Sequence, residues 1–230
     1  MRIVLLSDTH NKHRAIEVPD GDLLIHAGDS CGYGTTKEFI DFLGWFAKLP
    51  HKNKVAIAGN HDRCLENRTT RYLIQMMEDQ GVNYLEDSSV TIDGVKFYGS
   101  PWQPAFCDWA FNLSRGKALK EKWDLIPPDT DVLITHGPPY GIGDKIDNTI
   151  GSVGCEELLK AVERIQPPLH VFGHIHEGYG IHLAKWTLPA RIKTLFINTS
   201  NLNGSYHYTN KPVAVEFDPN TKLVSPLVQR

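Results

Sequence analysis

The chain has 230 residues and a formal net charge of -3, with acidic and basic side chains interspersed. That length suits a single α/β domain spanning residues 1–230 with a large core, and the composition forces no second domain. The charge leaves no footprint for gripping a phosphate backbone, which argues against a standing nucleic-acid partner but not against a single nucleotide. The opening apolar run, residues 1–6, is cut off by Ser7-Asp8-Thr9-His10 and is too short for a secretory core or a bilayer span. A cytoplasmic protein without a membrane partner is therefore expected. Cys31, Cys64, Cys107 and Cys155 form no Cys-x-x-Cys pair and read as free thiols in a reducing compartment.

Taken in order, five short apolar runs rich in Val, Ile and Leu each end in side chains able to bind metal. Residues 3–6 precede Asp8 and His10, and residues 23–27 precede Asp29. Residues 55–58 precede Asn60 and His61, residues 132–135 precede His136, and residues 170–172 precede His174 and His176. Runs of this length read as strands buried on both faces, and α/β sheets bind ligands beyond the carboxyl ends of their strands. Between them, Thr35 or Thr36 can cap a helix through Lys48, and further helices are predicted over residues 70–79 and 154–165. Residues 89–92 turn at Asp93-Gly94 into residues 95–98 as a hairpin, and residues 194–197 and 213–217 read as later strands. Strands alternating with helices, then hairpins, predict helical layers covering paired sheets.

Alternate residues of an extended chain face one way. His174 and His176 would then be attached about 6 to 7 Å apart on one side, suited to one ion each. Asp8 and His10 would reach a single ion by the same spacing. Asp29 offers two oxygens that could bridge two ions, Asn60 offers an amide oxygen, and His61 with Asp62 forms an imidazole-carboxylate couple. His136 adds a nitrogen ahead of the rigid turn at Pro138-Pro139. Oxygen and nitrogen donors without thiolate favour manganese, iron or zinc over calcium or a structural zinc.

The ordered set Asp8-x-His10, Gly28-Asp29, Gly59-Asn60-His61-Asp62, His136 and Gly173-His174-x-His176 resembles the calcineurin-like metallophosphoesterases. The resemblance implies a four-layer α/β/β/α sandwich and two divalent or mixed-valence metal ions (Mn, Fe or Zn). It assigns Asp8, His10, Asp29 and His176 to one ion and Asp29, Asn60, His136 and His174 to the other, with Asp29 bridging. Gly99-Ser100-Pro101-Trp102-Gln103-Pro104, Trp109-Ala110-Phe111-Asn112-Leu113 and the run from His170 to Gly180 look like the metallophosphoesterase-domain-containing phosphodiesterases of animals. Some of those proteins carry glycine where this chain has His174, so the departure here is toward a working second metal site.

The expected chemistry is in-line attack on phosphorus by a hydroxide bridging the ions, with His61 assisting the leaving oxygen and Asp62 fixing the tautomer of His61. Protein phosphatases of the superfamily carry an arginine soon after Gly-Asp. Here Ser30-Cys31-Gly32-Tyr33-Gly34 follows Asp29, which favours a small phosphodiester or nucleotide substrate, cyclic nucleotides foremost, over a dianionic monoester. A phosphomonoesterase and a weakly active nucleotide-binding regulator are the competing expectations, and a homodimer is compatible with the sequence. Trp102, Phe106, Trp109 and Phe111 either stack a base or form an apolar lid over a sheet edge, the lid being favoured. Asn112 and Arg115 are candidates to touch phosphate. His26 reads as a hydrogen-bonded core residue, and His13, His51, His170, His182 and His207 as structural.

Overall fold

The structure, a computed structural model, describes residues 1–147, 150–183 and 194–227. The first half of the chain forms β1 (Arg2–Leu6), β2 (Leu23–Ala27), α1 (Thr36–Phe46), β3 (Asn53–Ile57), α2 (Arg63–Glu66), α3 (Tyr72–Asp79), β4 (Val82–Tyr84), β5 (Ser88–Ile92) and β6 (Val95–Ser100). Next come the short strands β7 (Gln103–Pro104) and β8 (Asn112–Leu113), then α4 (Lys117–Trp123), β9 (Val132–Thr135), α5 (Glu156–Ile165) and β10 (Leu169–Phe172). The chain closes with β11 (Gly180–Leu183), β12 (Leu195–Asn198), β13 (Val213–Phe217) and β14 (Val224–Leu227).

Two six-stranded sheets result, ordered β14-β13-β1-β2-β3-β4 and β11-β12-β10-β9-β6-β5. Their central strands are parallel and apolar at nearly every position, so each sheet must be covered on both faces. The period of two in a strand distributes the side chains between the covers. Ile3, Leu5, Ile25 and Val55 of the first sheet meet Phe97, Val132, Ile134 and Val171 of the second. On the outer face of the first sheet, Val4, Leu6 and Leu24 pack under Phe39, Phe42 and Phe46 of α1 and Leu73 and Met77 of α3. On the outer face of the second, Leu133, Phe172 and Phe196 pack under Leu119 and Trp123 of α4 and Leu158 and Val162 of α5. The outcome is the α/β/β/α sandwich.

Helix α1 begins where the cap chemistry dictates. Thr35 accepts from the Glu38 amide while Glu38 Oε2 accepts from the Thr35 amide at 2.9 Å, a reciprocal capping box. The β5–β6 hairpin turns on Asp93 and Gly94 with φ of 49° and 78°, the paired left-handed residues of a two-residue turn. Several boundaries differ from the sequence expectation. α3 starts at Tyr72, after a separate 3-10 turn over Arg68–Thr70, and α5 starts at Glu156 with Cys155 as its cap. Helix α4 and the edge strands β11 and β14 were not expected. α4 shows only Leu119 and Trp123 as buried positions among three lysines, too sparse a stripe to see. β11 and β14 lie at sheet edges, half exposed, and β14 carries Pro226, which an edge tolerates.

The parallel strands bring the turns after β1, β2, β3, β9 and β10 to one end of the sandwich. There a parallel bridge between Ser7 and Ser200 joins the two sheets. Among the described residues no helix is long and apolar enough to cross a membrane. Because Phe42 is buried against the sheet and five other aromatic rings, Phe42→Ala should lower unfolding free energy by about 3–5 kcal/mol. Urea titration of the variant checks this; a change under about 1 kcal/mol would contradict the packing of α1.

Candidate metal centre

The strand-end residues converge. Asp8, His10 and His176 each place a donor atom within 4.8 Å of the others, as do His10, Asp29 and His61, and as do Asp29, His136 and His174. His10 Nε2 lies 3.7 Å and His136 Nε2 3.3 Å from Asp29 Oδ2, so one carboxylate stands between two imidazoles that come from different sheets. Asn60 Oδ1 is 2.9 Å from His136 Nε2, and Asp8 Oδ1 is 3.4 Å from His176 Nε2.

The pairs spaced two apart do not achieve this as extended chain. Asp8, His10, Asp29 and His174 have φ of 52°, 37°, 58° and 66°, in the left-handed region, and His176 opens a 3-10 turn. Such a backbone costs roughly 1–2 kcal/mol at a residue bearing a Cβ, and hydrogen bonds hold it in place here. The Asp8 amide donates to Gly28 O at 2.9 Å, the His10 amide to Asp29 O at 3.1 Å, and the His174 amide to the Asp8 carboxylate at 3.0 Å. Two motif glycines are required by close approach. A Cβ at Gly173 would overlap the Ser7 and Asp8 side chains, and one at Gly59 would overlap Asp29.

Each of four imidazoles is held from behind by a backbone carbonyl. His10 Nδ1 donates to Cys31 O (3.1 Å), His61 Nδ1 to Gly32 O (2.6 Å), His136 Nδ1 to Ala27 O (3.0 Å) and His176 Nδ1 to Asn203 O (2.9 Å). A carbonyl only accepts, so Nδ1 carries the proton and the neutral ring presents a lone pair at Nε2. His10 Nε2 and His176 Nε2 then face each other at 3.3 Å, an arrangement that needs a proton or a cation between them. Bonds of about 2.05 Å at tetrahedral to octahedral angles would separate donor atoms by roughly 2.9–3.4 Å. The spacings of 3.3 Å and 2.9 Å fall in that range, and the residues fit a pair of metal ions. Ser7 Oγ at 2.5 Å and Ser200 Oγ at 2.8 Å fix the other oxygen of Asp8.

Asp62 does not form the expected couple with His61. Its carboxylate accepts from Ser30 Oγ (2.7 Å), the Cys31 amide (2.9 Å) and the Gly59 amide (2.8 Å), tying the turn after β2 to the turn after β3. The tautomer of His61 is set by Gly32 O instead. The aromatic segment also divides. Phe111 is core and Trp102 is half-buried, donating to Asp87, whereas Phe106 and Trp109 line the cavity. Asn112 donates to the carbonyls of Phe106 and Cys107 and so shapes that loop rather than facing phosphate. His26 behaves as expected, buried with Nε2 3.2 Å from Thr9 Oγ1. The sequence reading missed Tyr206, whose ring sits 5.0 Å from His10 and 5.3 Å from His176. It missed Ser200 as well, for which a signal existed: the apolar run over residues 194–197 ends in Asn198-Thr199-Ser200-Asn201, a sixth polar strand end.

Burial sets the electrostatics. It holds His10 down at about 4 despite Asp29 and Asp8, and holds His26, His170 and His174 at about 3. Burial opposes charge on His136 and His176 as well, but Asp29 raises the first and Asp8 the second to about 9. Desolvation likewise works against Asp8 and Asp29, yet the surrounding imidazoles hold both carboxyls below their usual range. In metal-stripped protein the consequences for stability have opposite signs about pH 6.5, the ordinary histidine value. Below it the unfolded chain protonates His10, His26, His170 and His174 while the native state does not, so stability falls on acidification from 6.5 toward 3 to 4. Above it the native state retains the protons of His136 and His176, so their stabilisation, complete below 6.5, is lost as pH rises through about 9. Urea midpoints on chelator-treated protein should therefore peak near neutrality, and greater stability at pH 9 than at 6.5 would contradict the two imidazolium-carboxylate pairs.

A Calcineurin-like phosphoesterase family model matches residues 1–178. Metallophosphoesterase domain-containing protein 1 of Homo sapiens is 42% identical over 236 residues, covering 94% of this chain and 70% of that protein. UPF0046 protein K07C11.7 of Caenorhabditis elegans is 39% identical over 224 residues, covering 93% of this chain and 74% of its own. A crystal structure of TT1561 of Thermus thermophilus matches with a TM-score of 0.61 over 98% of this chain and 97% of that one, at 11% identity, and speaks for the fold. A matching family model, close relatives and donor atoms gathered at the strand ends give one conclusion: the chain belongs to the calcineurin-like phosphoesterase family.

Proposed function

We propose that the protein is a two-metal phosphodiesterase acting on small esters, with cyclic nucleotides as the leading substrate class. The observation that carries this reading is the opposed pair of Nε2 atoms at 3.3 Å, both rings anchored through Nδ1, within a set of donors containing Asp29 at its centre. Asp8, His10, Asp29 and His176 would hold one ion, and Asp29, Asn60, His136 and His174 the other. Bound there, the ions supply Lewis acidity toward phosphate oxygens and lower the pKa of coordinated water.

The protein's own residues supply the remainder. The cavity beside the cluster has a volume of about 650 Å³, and Phe106, Trp109, Ile146 and Ile150 give it an apolar wall. Arg115 is the one lysine or arginine among its described lining residues. Its guanidinium is engaged by Val153 O (2.6 Å), Gly154 O (2.7 Å) and Glu156 Oε2 (2.6 Å). A monoester dianion would find no free side-chain cation for its second charge among the described lining residues, while a diester carries a single charge and an uncharged second alcohol. His61 stands at the cavity with Nδ1 fixed on Gly32 O; in its imidazolium form, with Nε2 protonated as well, it would hand the Nε2 proton to the leaving oxygen as the bond to phosphorus breaks. The departing alcohol leaves neutral and so does the imidazole.

Chelator-treated protein reloaded with manganese, iron or zinc should hydrolyse bis(p-nitrophenyl) phosphate faster than p-nitrophenyl phosphate, and a clear preference for the monoester would end the diesterase reading. Removal of metal should abolish both rates. Metal analysis offers a second check. Asp29→Ala should lose both ions together, whereas His174→Gly should lose one and reduce turnover by at least about tenfold. Retention of two ions by Asp29→Ala would exclude that residue as the shared ligand.

A further inference from the structure

His61 is held by Gly32 O through one nitrogen, and a single hydrogen bond leaves an imidazole free to swing about that contact. Two rings remove the freedom. His10 and His61 meet edge to face at a centroid distance of 4.6 Å and an interplanar angle of 85°. The indole of Trp109 stacks on His61 at 4.0 Å and 26°.

Trp109 in turn is fixed on a rigid frame. The next residue, Ala110, is buried and donates its amide to the carbonyl of Asn60 at 3.1 Å, and the Phe111 amide donates to Glu66 Oε1 at 2.7 Å. Trp109 lines two cavities, the metal cavity and a smaller space of about 350 Å³ lined also by Arg63, Glu66, Asn67, Asp108 and Ala110. From that second space the Arg63 guanidinium carbon lies over the indole, 4.9 Å from its centroid. A stacked imidazole fills one face of the ring, so Arg63 takes the other, where the attraction of a cation for the indole face holds the ring from behind. Arg63 is not among the residues lining the metal cavity.

We propose that Trp109, backed by Arg63, is the positioning residue for His61, fixing the plane of the imidazole so that Nε2 meets the leaving oxygen. The proposal rests on the reading of His61 as the proton donor. Its effect is confined to the step in which that oxygen needs a proton, since orientation at the reacting atoms is what such a clamp supplies.

The test uses metal-loaded enzyme and aryl methyl phosphodiesters whose leaving group is p-nitrophenol, which departs unaided, or phenol, which depends on protonation. Trp109→Leu should lower kcat about tenfold on the phenyl ester and less than about threefold on the p-nitrophenyl ester, with KM unchanged within about twofold. Trp109→Phe, which keeps a flat face, should recover most of the loss. Arg63→Met should shift kcat in the same direction by a smaller factor and have no further effect in the Trp109→Leu background. A rise in KM with kcat intact would make Trp109 a substrate contact, and equal losses on both esters would make it merely structural; either result overturns the proposal. His61→Gln separates the underlying reading: if its own loss does not grow from the p-nitrophenyl to the phenyl ester, the proton-donor role falls, whatever Trp109 does.

Discussion

Backbone carbonyls behind the imidazoles are the constraint on which the site depends. Ala27, Cys31, Gly32 and Asn203 each accept a ring Nδ1–H and thereby aim an Nε2 at the cluster. Three of those carbonyls belong to the end of β2 and the turn after it, and the fourth to the segment after β12. The placement of that backbone is therefore inseparable from the donor geometry, because a ring freed from its carbonyl loses both its tautomer and its direction.

This arrangement opposes the ordinary preferences of the chain. Four donor residues sit in left-handed backbone, and the charged groups Asp8 and Asp29 are buried. Both features persist because the surroundings overdetermine them. The Asp8 carboxylate receives two serine hydroxyls and an amide, and Asp29 receives the His61 amide at 2.7 Å. Strain and buried charge concentrated at one end of an otherwise apolar sandwich mark where function outweighs local stability.

Much of the fold was legible because strands buried on both faces write themselves as apolar runs, and the turns after them carry the donors. The motif glycines were legible as well, and the reason is steric: no other residue fits beside Asp8 or Asp29 at Gly173 and Gly59. What escaped the sequence has physical reasons of its own. A carbonyl acceptor such as Gly32 O leaves no trace in side-chain identity, so Asp62 looked the better partner for His61 although it serves the loop amides. Tyr206 approaches from a segment outside the residues matched by the family model, and extended-chain spacing could not foresee turns at Asp8 and His174. The edge strands and α4 have too few buried positions to declare themselves.

Asp8, His10, Asp29 and Asn60 hang from one sheet, while His136, His174 and His176 hang from the other. The cluster thus straddles the seam of the sandwich, the surface along which two packed sheets would slide. A cation gripped by both sets would behave as a rivet through that seam. Slippage on the order of 1 Å is enough to misplace reacting atoms. The same bonds that prepare the chemistry would lock the two halves of the molecule in register.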